Sequence, residues 1–232
     1  MSDWRPRALA AIVFDFDGVI LDSESADYEA HRRIYQRCGV PLTRDDWCNQ
    51  VGIPMEGDVS PWAIRLRVLS ADAPDPDRFL AEKRRLFDEL VSNEPMRGIT
   101  ELVDAAAAAS VGVAVASASP RWWVAKGLDR IGLRHRFDIL VTGDDVTRVK
   151  PAPDLYLEAL GRLNVAGGRA VAIEDSAPGI MAARTAGLAT VAIPHWLTEI
   201  HDLSSADLRV AHAGELTLEG LDALVCRLRT GS

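Results

Sequence analysis

Two aspartates, Asp15 and Asp17, flank a phenylalanine at the end of the apolar run Ile12-Val13-Phe14, and Gly18 follows them. Such a β-branched and aromatic run predicts a buried strand. Carboxylates crowded at its end repel and raise each other's pKa unless a cation is shared between them. The pattern asks for a hard divalent metal and leaves one carboxylate to act as a nucleophile. Three later segments offer matching chemistry. Ser117-Ala118-Ser119-Pro120 follows Val113 to Ala116 and presents a hydroxyl and backbone N–H groups where a helix begins. That is a phosphate cradle, although a Ser-Pro helix start also serves as a plain cap. Lys150 is pinned by Pro151 and Pro153, as a cation held in place or a solvated loop lysine. Ile173 is followed by Glu174, Asp175 and Ser176; acidic N-capping accounts for one carboxylate there but not two. Taken together, the acids can hold Mg²⁺ through oxygen ligands. The metal, Lys150 and the Ser117 hydroxyl can then neutralise the equatorial oxygens of a phosphoryl group.

Positioning these groups requires strands that end side by side. The first strand is expected from about Ala10 to Asp15, and others at Val111–Ser117, Phe137–Thr142, Ala170–Glu174 and Ala189–Ile193. Helices are expected near 99–110, 120–131, 153–163 and 177–186, and a closing helix from about 215. Alternation of this kind predicts a parallel α/β sheet, a Rossmann-like doubly wound core. Between the first two strands the pattern changes to helical spacing, over 24–37, 42–50, 58–70 and 76–92. Trp47, Trp62, Leu66, Phe79, Leu86 and Leu90 fall at intervals suited to a helical core. The expected organisation is an α/β core of 1–22 and 94–232 with an inserted all-helical domain at 23–93.

At 232 residues and 48% hydrophobic, the chain suits a soluble globular protein with a sizeable core. Its formal net charge of −8 argues against nucleic acid as a partner. Lysines are scarce: Lys83, Lys126 and Lys150. The cysteines Cys38, Cys48 and Cys226 share no metal-ligand spacing and fit a reduced compartment. The short apolar run before Asp15 lacks the length and cleavage site expected of a signal peptide, and no stretch of about 18 apolar residues predicts a membrane span. A cytoplasmic protein is expected. Composition assigns no oligomeric state.

The sequence resembles the haloacid dehalogenase superfamily in its phosphatase branch with a helical cap, the group that contains β-phosphoglucomutase and sugar-phosphate phosphatases. Asp15-Phe-Asp17-Gly-Val, Ser117-Ala-Ser, Lys150-Pro-Ala-Pro-Asp and Glu174-Asp175-Ser-Ala-Pro-Gly-Ile look like that family's four motifs in order. The resemblance implies that Asp15 is the nucleophile that becomes an aspartyl-phosphate. It implies that Asp17 protonates the leaving oxygen and then activates water, its backbone carbonyl facing the metal. Ser117, Ala118 and Lys150 would bind the phosphoryl group, with Lys150 also restraining Asp15. Asp175 would ligate Mg²⁺, and Glu174 would support the site through a metal-bound water. Dehalogenases of the superfamily work without metal and lack the second aspartate, so Asp17, Glu174 and Asp175 favour phosphorus over halogen.

The expected substrate is therefore a small phosphorylated metabolite, a sugar or polyol phosphate, with neither a membrane nor nucleic acid involved. Ser23, Asp27, Lys83 and Arg84 are candidate substrate contacts of the cap. β-Phosphoglucomutase-like chains carry a His at the place of Asp27 and a basic group near Gly52-Ile53-Pro54-Met55. Their absence weighs against a phosphosugar mutase, which must bind a second phosphate. A non-catalytic phosphate-ligand binding protein is the alternative from another class.

Overall fold

The computed structural model describes residues 7–48, 60–137 and 139–230. The chain divides into two compact units, Met1–Leu21 with Asn93–Ser232, and Asp22–Ser92. The first unit holds a six-stranded parallel sheet ordered β3-β2-β1-β4-β5-β6. Its strands are β1 (Ala11–Phe14), β2 (Gly112–Ala116), β3 (Ile139–Val141), β4 (Ala170–Glu174), β5 (Ala189–Ala192) and β6 (Leu208–Arg209). The sequence pattern does not predict β6, because two residues are too few to show a period.

β1 and β4 are short runs with every residue buried, as befits strands covered on both faces. Ala11 and Val13, Ala114 and Ala116, and Ala170 and Ala172 point to one face. Helices α7 (Asp154–Leu163) and α8 (Ala177–Thr185) cover that face, inserting Leu155, Tyr156, Ala159, Ala182 and Ala183. Small alanines on the strands let these helices approach closely. Helices α5 (Ile99–Ala108) and α9 (Leu218–Thr230) pack on each other, α5 also on β2 and α9 on β4 and β5. Helix α6 (Arg121–Arg130) completes the unit.

The strand order reverses direction between β1 and β4, and an open α/β sheet keeps its ligand crevice beyond the carboxyl ends at such a switch point. Register places Phe14 beside both Val115 and Ile173, and the Asp15 N–H continues the ladder to the Ile173 carbonyl at 2.9 Å. Residues 15–17, 117–119 and 174–176 therefore emerge at one level.

The second unit is built from α1 (Ser23–Arg37), α2 (Arg44–Cys48), α3 (Pro61–Leu69) and α4 (Pro76–Leu90). Capping sets its helix starts: Asp22 accepts from the Ser25 N–H at 2.9 Å, and Asp75 from the Arg78 N–H at 3.0 Å. α1 packs along α4, burying Ile34, Tyr35, Phe79 and Leu86. Trp47 and Trp62 stack with centroids 4.8 Å apart, and Tyr35 donates to the Trp62 carbonyl at 2.7 Å. Residues 49–59, which include Gly52-Ile53-Pro54-Met55 and the adjoining ends of two expected helices, lie outside the described residues, as does Asp138 of the expected third strand. No described helix is long and apolar enough to cross a membrane.

Candidate active site

Burial governs the electrostatics at the strand ends. Asp15 is 8% exposed, Asp175 4% and Glu174 0%. One carboxylate oxygen from each of Asp15, Glu174 and Asp175 lies within 4.8 Å of the others. Three buried acids this close cannot all be ionised without cations among them. Lys150 supplies one: its Nζ lies 2.5 Å from Asp15 Oδ1 and 2.7 Å from Glu174 Oε1. Burial opposes the lysine's charge, but Asp15 and Glu174 outweigh it and raise its pKa above the ordinary lysine value. Asp15 moves the other way. Burial pushes its carboxyl up to about 7, against the pull of Lys150, and Glu174 adds to the rise. One lysine is thus not charge enough for the cluster. The all-oxygen donor set suits a hard divalent cation such as Mg²⁺.

Glu174 is engaged by both of its oxygens. Tyr156 from α7 donates to Oε1 at 2.5 Å and Ser176 donates to Oε2 at 3.1 Å. The family resemblance implies a supporting role for Glu174 toward a metal; the structure adds its direct ion pair with Lys150. Gly179, in the first turn of α8, makes room for this carboxylate, since a Cβ there would fall 2.0 Å from Glu174 Oε1. Gly179→Ala is expected to destabilise the protein by about 1–3 kcal/mol through overpacking and to lower activity by displacing Glu174. Thermal unfolding and turnover measured on that variant check both. Gly18 is needed for two reasons: its φ is +77°, and a Cβ would sit 2.6 Å from Asp175 Oδ2. Thr198 Oγ1 lies 3.4 Å from the same oxygen.

Ser117 is buried, donates its N–H to the Val141 carbonyl at 3.0 Å, and accepts the Ser119 N–H on its Oγ at 3.0 Å. Exposed Ala118 lies between the two serines. Both carboxylate oxygens of Asp17 accept from side chains near the start of α6: Ser119 Oγ donates to Oδ2 at 2.6 Å and Trp123 Nε1 to Oδ1 at 2.9 Å. The structure therefore gathers Asp15, Lys150, Glu174 and Asp175 into one buried cluster and brings Ser117 and Asp17 out at the same level of the sheet. Ser119, Trp123, Tyr156 and Thr198 are additions that sequence reading misses. A Ser-Pro helix start and aromatic residues on helices look like caps and core.

In the helical unit, Ser23 is buried at the start of α1 and Arg84 is exposed on α4. Asp27 and Lys83 form an ion pair with each other. His31 is buried nearby, its Nδ1 2.7 Å from the Asp27 carbonyl oxygen, and burial lowers its pKa.

A sequence model of the family described as haloacid dehalogenase-like hydrolase matches residues 12–193. The chain is 33% identical over 180 residues to a phosphorylated carbohydrates phosphatase of Thermotoga maritima, covering 78% of this chain and 82% of that one. It is 28% identical over 191 residues to hexitol phosphatase B of Escherichia coli K12, covering 82% and 85%. The crystal structure of CbbY from Rhodobacter sphaeroides in complex with phosphate superposes with a TM-score of 0.71 at 27% identity, covering 92% of this chain and 99% of that one.

Proposed function

This chain belongs to the haloacid dehalogenase-like hydrolase family, and from that membership we propose that it is a Mg²⁺-dependent phosphatase acting on a small phosphorylated sugar or polyol through an aspartyl-phosphate at Asp15. The observation that carries this reading is the buried Lys150, 2.5 Å from Asp15 and 2.7 Å from Glu174, with Asp175 close enough to share a cation with Asp15. The phosphatase names of the relatives support the substrate class.

In the first step a carboxylate oxygen of Asp15 attacks phosphorus while the ester P–O bond breaks. The leaving oxygen keeps that electron pair and takes a proton from Asp17. In the second, Asp17, now a carboxylate, takes a proton from water as the water oxygen attacks phosphorus. The bond from phosphorus to Asp15 breaks, its electrons return to the carboxylate, and phosphate departs. Lys150 and the Ser117 hydroxyl, with the backbone at Ala118, bind the phosphoryl oxygens, and Lys150 also fixes Asp15. Mg²⁺ would be held by Asp15, the Asp17 carbonyl and Asp175, with Glu174 behind them, and it supplies further positive charge for the transferring oxygens.

The helical segment, 23–93 between core segments 1–22 and 94–232, acts in this reading as the cap that selects the leaving group, with Ser23 and Arg84 as contacts. Of the two basic candidates Lys83 and Arg84, Lys83 is paired with Asp27.

A phosphate-release screen with Mg²⁺ over sugar, polyol, nucleotide and glycolytic phosphates tests the proposal. Turnover of a sugar or polyol phosphate is expected. Conversion of β-glucose 1-phosphate to glucose 6-phosphate without net phosphate release would make the protein a mutase, and inactivity on the whole panel would make it a binding protein.

The pKa of Asp15 gives the metal reading a test that needs no turnover. A carboxyl at about 7 when folded against 3.8 ordinarily binds more protons folded than unfolded between those values. Metal-free protein therefore loses stability at Asp15 as pH rises from about 4 to about 7. Mg²⁺ must displace that proton, so the rise in Tm that it produces should grow with pH across the same window. Asp175→Asn should abolish the rise. A Mg²⁺ shift that is flat with pH and intact in that variant would place the metal elsewhere.

A further inference from the structure

We propose that Trp123, together with Ser119, is the device that aims the Asp17 carboxylate, so that an indole N–H outside the family motifs is a positioning residue for proton transfer. The inference rests on the phosphatase reading and goes beyond it. Both oxygens of Asp17 are held by side chains from the start of α6 and the loop before it, more than a hundred positions away in sequence. Ser119 Oγ takes Oδ2 at 2.6 Å and Trp123 Nε1 takes Oδ1 at 2.9 Å. Neither anchor is loose. The Ser119 N–H donates to Ser117 Oγ at 3.0 Å, its carbonyl accepts from Gly143 N at 3.1 Å, and the Trp123 N–H bonds the Pro120 carbonyl at 3.0 Å. The Trp123 ring meets Phe16 edge to face, with centroids 6.2 Å apart. The residue between the two aspartates thus steadies the ring that grips the second.

The two donors differ in kind, and that difference assigns the atoms. An indole N–H can only donate, so Oδ1 remains an acceptor throughout the cycle. A serine hydroxyl can rotate to another acceptor, which leaves the single proton of Oδ2 free to aim at the leaving oxygen. Oδ2 is therefore the oxygen that gives its proton to the leaving alkoxide, as the ester P–O bond breaks, and takes one from water in the second step. Trp123 acts through Asp17 and touches no reacting atom in this scheme.

The test reads leaving-group dependence. An alkoxide from a sugar or polyol needs the Asp17 proton to depart, whereas p-nitrophenolate is a stable anion that leaves without one. Trp123→Phe keeps the ring against Phe16 and removes the donor. Its kcat/KM is expected to fall roughly 10–100-fold on the best alkyl phosphate and less than about threefold on p-nitrophenyl phosphate, with KM for the alkyl ester little changed. Ser119→Ala, which leaves the indole in place, should show the same split and guards against a folding defect in the first variant. Equal losses on the two esters in both variants would overturn the positioning role while the phosphatase reading stands. Wild-type protein that cleaves neither ester would overturn that reading and this inference with it.

Discussion

Asp15→Asn is expected to stop phosphate release, with kcat lower by roughly 10³-fold or more, because the amide cannot serve as the nucleophile that accepts the phosphoryl group. The substitution is nearly isosteric and removes a charge from a crowded acidic cluster, so the fold should survive it. The residual carboxylates Glu174 and Asp175 lose a repelling neighbour, although Lys150 loses one of its two partners. Tm is therefore expected to move little while activity disappears. Phosphate release with Mg²⁺, measured beside calorimetry on the same preparation, separates the two effects. A variant that keeps activity near wild type would mean that phosphorus is attacked by something other than Asp15.

Lys150→Met is expected to damage both stability and turnover. The methionine keeps most of the aliphatic stem but leaves Asp15 and Glu174 as buried acids without their cation. Breaking a buried ion pair from one side costs about 3–5 kcal/mol, which for a chain of this size is a fall in Tm on the order of 10 °C. In the metal-free protein part of the strain is relieved by proton uptake at Asp15, whose carboxyl stands at about 7 without metal and would rise further without the lysine. That uptake competes with Mg²⁺ and would silence the proposed nucleophile. The turnover loss should therefore be roughly 10²-fold or more at neutral pH and should ease as pH is raised. A pH profile of kcat/KM beside that of the wild type reads this. Losses independent of pH would show that Lys150 serves phosphate binding alone, with no hold on the ionisation of Asp15.

Much of this site can be read from residue order, for a physical reason. Each of these strands is short and buried toward its carboxyl end, so a polar residue there stands out against an apolar run: Asp15 after Phe14, Ser117 after Ala116, Glu174 after Ile173. Because the sheet is parallel, those ends lie on one side, and sequence order is enough to suggest that they meet. What could not be read are partners set by tertiary packing. Tyr156 sits on an apolar face of α7 and reads as core, yet its hydroxyl reaches Glu174. Trp123 reads as one of six tryptophans, and its bond to Asp17 spans 106 positions. The two-residue β6 has no pattern to detect. In the helical unit, the spacing of Asp27 and Lys83 gives no hint that they neutralise each other, because α1 and α4 must pack before they can meet.

The most direct measurement is the mass of protein quenched in acid during steady turnover of a sugar or polyol phosphate, followed by peptide mapping. Expected is one added phosphoryl group on the peptide that carries Asp15, absent from Asp15→Asn. Steady phosphate release with no phosphorylated Asp15 peptide at any quench time, or a phosphoryl group found on another residue, would contradict the nucleophile assignment.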